Sequence, residues 1–195
     1  MPKIVDHAER RLTIIQATWR LIATQGIRAT TMREIAREAG VANGTLVPYF
    51  TDKDAILTAA FELVFAATND RFALARSDRS GLTALRVMLN EIFPLDEERL
   101  LEARIVVAFW EHAASDPALN QLHQNTMALW RTEMVHYLEE AKRDGETRPD
   151  LDAELVADQL MAMLNGVQVL TVLSSDDGAA ARLTVMLDDF LGRLN

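Results

Sequence analysis

Residues 14–57 read IIQATWRLIATQGIRATTMREIAREAGVANGTLVPYFTDKDAIL, and their spacing decides the fold. Leu12, Ile15, Trp19 and Ile22 recur at intervals of three and four, which places them on one face of a helix. That face ends at Gly26, a position suited to a left-handed cap. Thr31 followed by Glu34 is a capping-box pattern. It predicts a short second helix that buries Met32, Ile35, Ala36 and Ala39 and stops at Gly40. Val41 to Gly44 then leads into a third short helix through Tyr49 and Phe50. The sharp turn between two such helices needs a residue at ease with positive φ, which Gly40 supplies. The second helix of such a pair fits a DNA major groove, about 12 Å wide. Geometry alone leaves open that these are three packed helices with no such role.

The residue identities go further. Gly26, Thr31, Ile35-Ala36, Ala39-Gly40-Val41, Gly44, Leu46, Tyr49-Phe50, Lys53 and Leu57 keep the order and spacing of a known pattern. The stretch resembles the DNA-binding domain of the TetR family of bacterial transcriptional repressors. That resemblance implies a recognition helix over Asn43–Tyr49 and a double-stranded DNA operator as partner. Val47 and Pro48 depart from the pattern, since many members carry tyrosine at the first position and the second lies inside the recognition helix.

Thr31 and Thr45, near helix N-termini, can offer hydroxyl and backbone N–H groups to phosphate. Lys53 resembles the family's phosphate-contacting lysine. Tyr49 either donates its hydroxyl to a phosphate or is a half-buried core residue. Arg28 and Arg33 are expected to face the DNA backbone, while Arg37 could pair with Glu34 or Glu38 on its own helix. Asn43, Thr45 and Val47 are the candidates for base edges, with Gly44 in the same segment.

Outward from this head the periodicity stays helical. A long fourth helix is predicted from near Asp52 to near Arg76, with Leu57, Phe61, Val64, Thr68 and Phe72 on one stripe. Ser80-Gly81 opens a helix to Phe93-Pro94, and Asp96 caps another reaching Ala114. Asp116-Pro117 reads as a cap followed by a first-turn proline, opening a long helix to Arg143. Pro149-Asp150 restarts the chain for a helix to Leu173, residues 174–178 form a turn, and a last helix ends near Leu194. No segment alternates with period two. The expectation is an all-α protein of about nine helices. A helix-turn-helix DNA-binding domain spans 1–53, and a helical ligand-binding and dimerisation domain spans 54–195.

Charge is divided along the same boundary. The net charge is −9, yet residues 1–53 carry eight Lys/Arg against five Asp/Glu, leaving the remainder at −12. A basic head on an acidic body suggests that the head alone approaches a polyanion. The absence of cysteine excludes disulfide frameworks, thiolate zinc sites and cysteine nucleophiles. Charged residues in Met1–Arg10 stand where an export signal needs an apolar stretch. Residues 159–175 are uncharged but contain Asn165, Gly166 and Gln168, which suits a buried helix better than a membrane span. A cytoplasmic protein is expected.

The segment 103–191 resembles, more loosely, the carboxy-terminal domain of BetI-like members, through VVAFWEHAASDPAL and LDAELVADQLMAMLNGVQV. This implies that the last two helices pair with those of a second subunit. Leu155, Leu160, Met163, Leu164, Val167 and Leu170 leave more apolar surface than one helical layer could cover. Leu160, Met163, Leu164, Val167, Leu187 and Leu191 are the expected seam, and an intrachain core helix is the competing reading. Met88, Phe93, Phe109, Trp110, Met127, Trp130, Met134 and Asn165 are candidates for the site of a small-molecule effector. Trp110, Trp130 and Tyr137 with Glu111 or Glu133 could form an aromatic box for an organic cation, each contact worth roughly 0.5–2 kcal/mol. Ordinary helix packing explains the same aromatics. Asn165 and Gln168 could line a pocket or hydrogen-bond across the seam.

Enzymatic readings find no support. Glu133 and His136 form a single Glu-x-x-His, where a di-iron bundle needs two. The four histidines show no paired ligand spacing, and there is no G-x-S-x-G, P-loop or G-x-G-x-x-G. Neither cofactor nor metal is expected. The leading expectation is a homodimeric, ligand-responsive repressor that binds an inverted-repeat operator. Its rival is a helical ligand-binding or scaffold protein whose first helices do not bind DNA.

Overall fold

The computed structural model describes residues 7–174 and 179–195, without the side chains of Ala23, Arg28 and Ala179. Among these residues the regular structure is eight α-helices and one 3-10 turn, with no strand. The elements are α1 (His7–Ala29), α2 (Met32–Glu38), the 3-10 turn Asn43–Thr45, α3 (Lys53–Arg76) and α4 (Gly81–Ile92). They continue with α5 (Glu97–Ala113), α6 (Pro117–Arg143), α7 (Ala153–Leu173) and α8 (Ala179–Gly192). Residues 175–178 of the expected turn, and Met1–Asp6 at the amino terminus, lie outside the described residues.

Short polar side chains start most of these helices by accepting the backbone N–H groups that a first turn leaves unpaired. Thr31 and Glu34 form the complete capping box of α2. Asp52 accepts from the N–H of Ala55 at 2.8 Å, and Asp96 from that of Arg99 at 2.8 Å. Asp116 accepts from Ala118 and Leu119 with Pro117 in the first turn of α6. Asp152 accepts from Leu155 at 3.0 Å. At Gly26 the backbone leaves helical values (φ 77°, ψ 166°), as predicted, but one further turn through Ala29 follows the kink.

Two apolar clusters organise the packing. The first joins Ile14, Ile35, Leu46 and Phe50 of the head to Ile56, Ala60 and Phe61 of α3 and to Ile105, Val106 and Phe109 of α5. The core of the head therefore does not close at residue 53, because α3 and α5 supply its floor. The second gathers the rest of α3 with α4, α6, α7 and α8 around Leu85, Phe93, Met134, Tyr137, Leu160 and Leu164.

That second cluster corrects the expected seam. Leu160, Leu164, Val167, Leu187 and Leu191 are buried within the protomer, and Met163 is partly buried against the same core. The outward faces of α7 and α8 instead expose Leu155, Leu170, Leu173, Val185 and Met186. α7 is apolar on more than one face, so composition alone could not say which face turns inward. By length and hydropathy α7 is the one helix, among the described residues, that could cross a bilayer. About a third of that stretch is buried inside the protomer, against α5 and α6.

Candidate nucleic-acid interface and effector cavity

The head presents one polar, small-residue surface. Gly40 takes a positive φ of 68° and turns the chain sharply out of α2. The following segment corrects the expected recognition helix. Asn43–Thr45 is a 3-10 turn, and only one further turn follows, closed by Tyr49 and Phe50 N–H groups donating to the Leu46 carbonyl at 2.8 and 2.9 Å. Pro48 has no N–H to continue a helical ladder, and Asn43-Gly44 starts it from two poor helix formers. Leu46 and Phe50 anchor the segment in the core. Asn43, Gly44, Thr45, Val47 and Pro48 face solvent, with Val47 65% exposed.

Around it, Thr31 and Arg33 are exposed at the start of α2. The Thr31 hydroxyl is engaged by Glu34, donating to Oε2 at 2.9 Å and accepting from the backbone N–H at 3.3 Å. These hydrogen bonds to Thr31 hold the Glu34 carboxyl below its usual range. Lys53, half-buried, donates from Nζ to the Ile27 carbonyl at 3.2 Å and ties α3 to the end of α1. Tyr49 is also half-buried, its ring 4.3 Å from that of His7. Arg20 and Glu38 pair at 2.7 Å, and Arg11 lies 4.9 Å over the Phe50 ring. The side chain of Arg28 lies outside the described residues.

In the body, a narrow cavity lies among α3, α4, α5, α6 and α7. Phe61, Phe65, Trp110, Met127 and Trp130 supply its aromatic and thioether walls, and Thr68, Arg99, Glu102 and Gln168 its polar ones. Its free width admits a water molecule rather than an organic ligand, so an occupant must push the walls apart. Glu102 is buried and receives Arg71 bidentately, at 2.9 and 2.8 Å. Arg71 also reaches Glu91 at 2.9 Å, and Arg99 closes the cluster onto Glu91 and Asp96. Burial pushes the Glu102 carboxyl up, while the Arg71 contacts oppose that shift. Three buried polar atoms on the cavity wall have no partner: Trp110 Nε1, Arg99 Nε and Gln168 Oε1. His123, edge-on to Trp110 with ring centroids 5.8 Å apart, also leaves Nδ1 unpaired, and burial pushes its pKa down.

A second, open cleft of about 580 Å³ adjoins the cavity between α3 and α6. Phe65 and Trp130 line both spaces. The Trp130 indole donates to Asn69 Oδ1 at 2.8 Å.

Of the eight residues expected at the effector site, Trp110, Met127 and Trp130 line the cavity. Met88, Phe93, Phe109 and Met134 are instead fully enclosed core packing, and Asn165 lies off the wall with Oδ1 unpaired. The aromatic box does not assemble as one unit, because Tyr137 and Glu133 line the outer cleft and Glu111 is exposed. The carboxylate inside is Glu102. A signal for it existed: Glu102, Ile105, Val106 and Phe109 follow the spacing of one buried face, so a charge sits on an apolar stripe.

Cavity and head share material. Phe61, Val64 and Val106 line the cavity and also belong to the apolar cluster of the head. Phe61 stacks on Phe109 with centroids 4.1 Å apart and planes 9° from parallel.

Known proteins agree with this arrangement. Residues 14–60 match the bacterial regulatory proteins of the tetR family, and residues 82–195 match the BetI-type transcriptional repressor carboxy-terminal family. The regulator PksA of Bacillus subtilis is 29% identical over 174 residues, covering 89% of this chain and 83% of its own. The regulator BetI of Paraburkholderia phymatum is 28% identical over 200 residues, covering 100% and 97%. A Rhodococcus transcriptional regulator superposes with a TM-score of 0.82 at 25% identity, covering 94% of this chain and 95% of that one. A Saccharomonospora viridis regulator, solved in complex with choline, superposes with a TM-score of 0.87 at 22% identity, covering 95% and 96%. With a helix-turn-helix head and a BetI-type body in one chain, the protein belongs to the TetR family and is a ligand-responsive transcriptional repressor.

Proposed function

We propose that the repressor acts in the cytoplasm as a homodimer, with two heads on an inverted-repeat operator and a small effector entering the α3–α7 cavity to release it. Asn43, Thr45 and Val47 face base edges, while Gly44, Arg33, Tyr49, Lys53 and the first turn of α2, which the Thr31 cap orients, hold phosphates. Arg28 is assigned to the same backbone contacts from its place in the sequence. Two heads are needed because one short 3-10 segment offers few contacts, and recognition units about 34–36 Å apart meet successive turns of the groove. The outer faces of α7 and α8, rather than the inward leucines, form the seam.

The observation that carries the switching half of this reading is the shared wall. Phe61, Val64 and Val106 touch both the cavity and the head's core, so an occupant that widens the cavity displaces residues that position α1 and α2. A coupling of about 1–3 kcal/mol already changes operator affinity some 5–150-fold. Selection from random duplex DNA tests the reading. Enrichment of an inverted repeat, bound by a dimer, is the expected result. No enriched sequence, or a single half-site bound by a monomer, overturns it.

A further inference from the structure

We infer that the effector is electrically neutral, with an apolar body and an amide-like polar end that accepts and donates hydrogen bonds beside Trp110, Arg99 and Gln168. This rests on the reading above that the α3–α7 cavity is the effector site.

The first argument is charge balance. The two ionisable side chains on the cavity wall, Arg99 and Glu102, are both held in ion pairs, with only the Arg99 Nε donor left over. Glu102 gives both oxygens to Arg71, and Glu91 serves Arg71 and Arg99 together. An incoming cation would find no carboxylate free to replace its hydration, and it would lie near two guanidinium groups. An incoming carboxylate would meet Glu102 on the same wall, and the one arginine there, Arg99, is already shared between Glu91 and Asp96. Desolvating an unmatched charge beside such closed pairs is costly. The aromatic walls alone do not offset that cost, since the attraction of a cation to a ring is weak beside the loss of its hydration.

The second argument is the pattern of unmade hydrogen bonds. Trp110 Nε1 and Arg99 Nε are donors and Gln168 Oε1 is an acceptor, all buried and without partners. Gln168 is only 4% exposed and sits on α7 among leucine and valine neighbours, where a polar side chain costs stability unless it finds a partner. Two unpaired donors and one unpaired acceptor on the cavity wall are the complement of a carbonyl whose neighbour carries N–H or O–H. A primary amide satisfies all three; an ammonium group can serve the acceptor but leaves both donors unmet.

The third argument is size. Little free width is present, so the ligand is compact, and the aromatic and methionine walls favour a ring or short aliphatic chain.

Three probes of one skeleton separate the charge classes: 3-phenylpropanamide, 3-phenylpropylamine and 3-phenylpropanoate, with choline as a fourth. Binding to the full-length protein is followed by calorimetry, and operator retention is followed separately. The amide is expected to bind at least ten-fold more tightly than either charged analogue or choline. Gln168→Leu and Trp110→Phe, which keep volume and ring while removing the polar atom, should each weaken the amide about ten-fold. Gln168→Leu should not lower the melting temperature, since it removes an unpaired buried polar atom, so its loss of amide binding reads the hydrogen bond and not the fold. Tighter binding of a charged probe, equal binding in both variants, or no binding by any probe at millimolar concentration overturns the inference. Operator binding distinguishes the failures. A protein that holds its selected operator but prefers a charged probe remains a repressor with a different effector, whereas one that holds no operator refutes the regulatory reading itself.

Discussion

Arg71 of α3 grips both carboxylate oxygens of Glu102 on α5, at 2.9 and 2.8 Å, behind a cavity wall on which Glu102 is the one carboxylate. The pair binds two helices that also floor the head. Arg71→Ala strands a buried carboxylate and should cost about 3–5 kcal/mol in urea denaturation. Arg71→Met combined with Glu102→Leu should recover most of that loss, because the penalty lies in the unpaired charge. A loss below about 1 kcal/mol for the single variant would mean that the pair is solvated.

Lys53→Ala should weaken every duplex by a similar factor and lower the slope of log K against log salt by about one unit. Fluorescence titration at several salt concentrations measures it. An unchanged slope would leave Lys53 with only its structural bond to the Ile27 carbonyl.

Val47 is 65% exposed on the presented turn, so Val47→Ala should leave stability within about 0.5 kcal/mol. The change should fall on which operator positions are preferred, since an exposed valine offers a thymine methyl an apolar partner. Selection with the variant should relax one position per half-site. An identical preferred sequence would remove Val47 from the interface.

Leu170 is 68% exposed and Val185 67%, whereas Leu164 is 1% exposed. Leu170→Glu or Val185→Glu should yield folded monomers in sedimentation, with operator affinity much reduced. Leu164→Glu should instead destabilise the protomer itself, because the new carboxylate has no partner in the core. A dimer that survives both exposed changes would place the seam elsewhere.

Burial depresses the pKa of His123 below its ordinary 6.5. The folded state then takes up a proton less readily than the unfolded chain. The stabilising contribution is present above pH 6.5 and is lost as pH falls through the folded value. Melting temperature should therefore drop on acidification from neutral pH, and His123→Phe should flatten that part of the profile. Superimposable profiles for parent and variant would show that His123 titrates freely.

The helix boundaries were readable because they are written in local chemistry. Asp52, Asp96, Asp116 and Asp152 each cap the helix that the sequence places after them, and the Thr31–Glu34 box forms as its spacing predicts. What sequence could not settle is which face of an all-round apolar helix turns inward. Leu164 and Leu170 are six residues apart on α7 and equally apolar, yet one is core and the other surface. The cavity wall was hidden for a similar reason. Phe109 and Trp110 are sequence neighbours, but one stacks on Phe61 inside the core and the other lines the cavity. Pro48, which lies inside the expected recognition helix, leaves that segment only about one turn beyond the 3-10 element.

The division of charge, +3 over residues 1–53 against −12 over the remainder, has a kinetic consequence. In the field of a duplex the molecule experiences a torque before it makes any contact, because its two ends are driven in opposite directions. Encounters that lead with the body are repelled, and those that lead with the head are drawn in. The search for an operator is then orientationally filtered at a distance set by the Debye length, about 8 Å at physiological ionic strength. The acidic surplus that makes the whole chain look unsuited to nucleic acid thus ensures that the correct end arrives first.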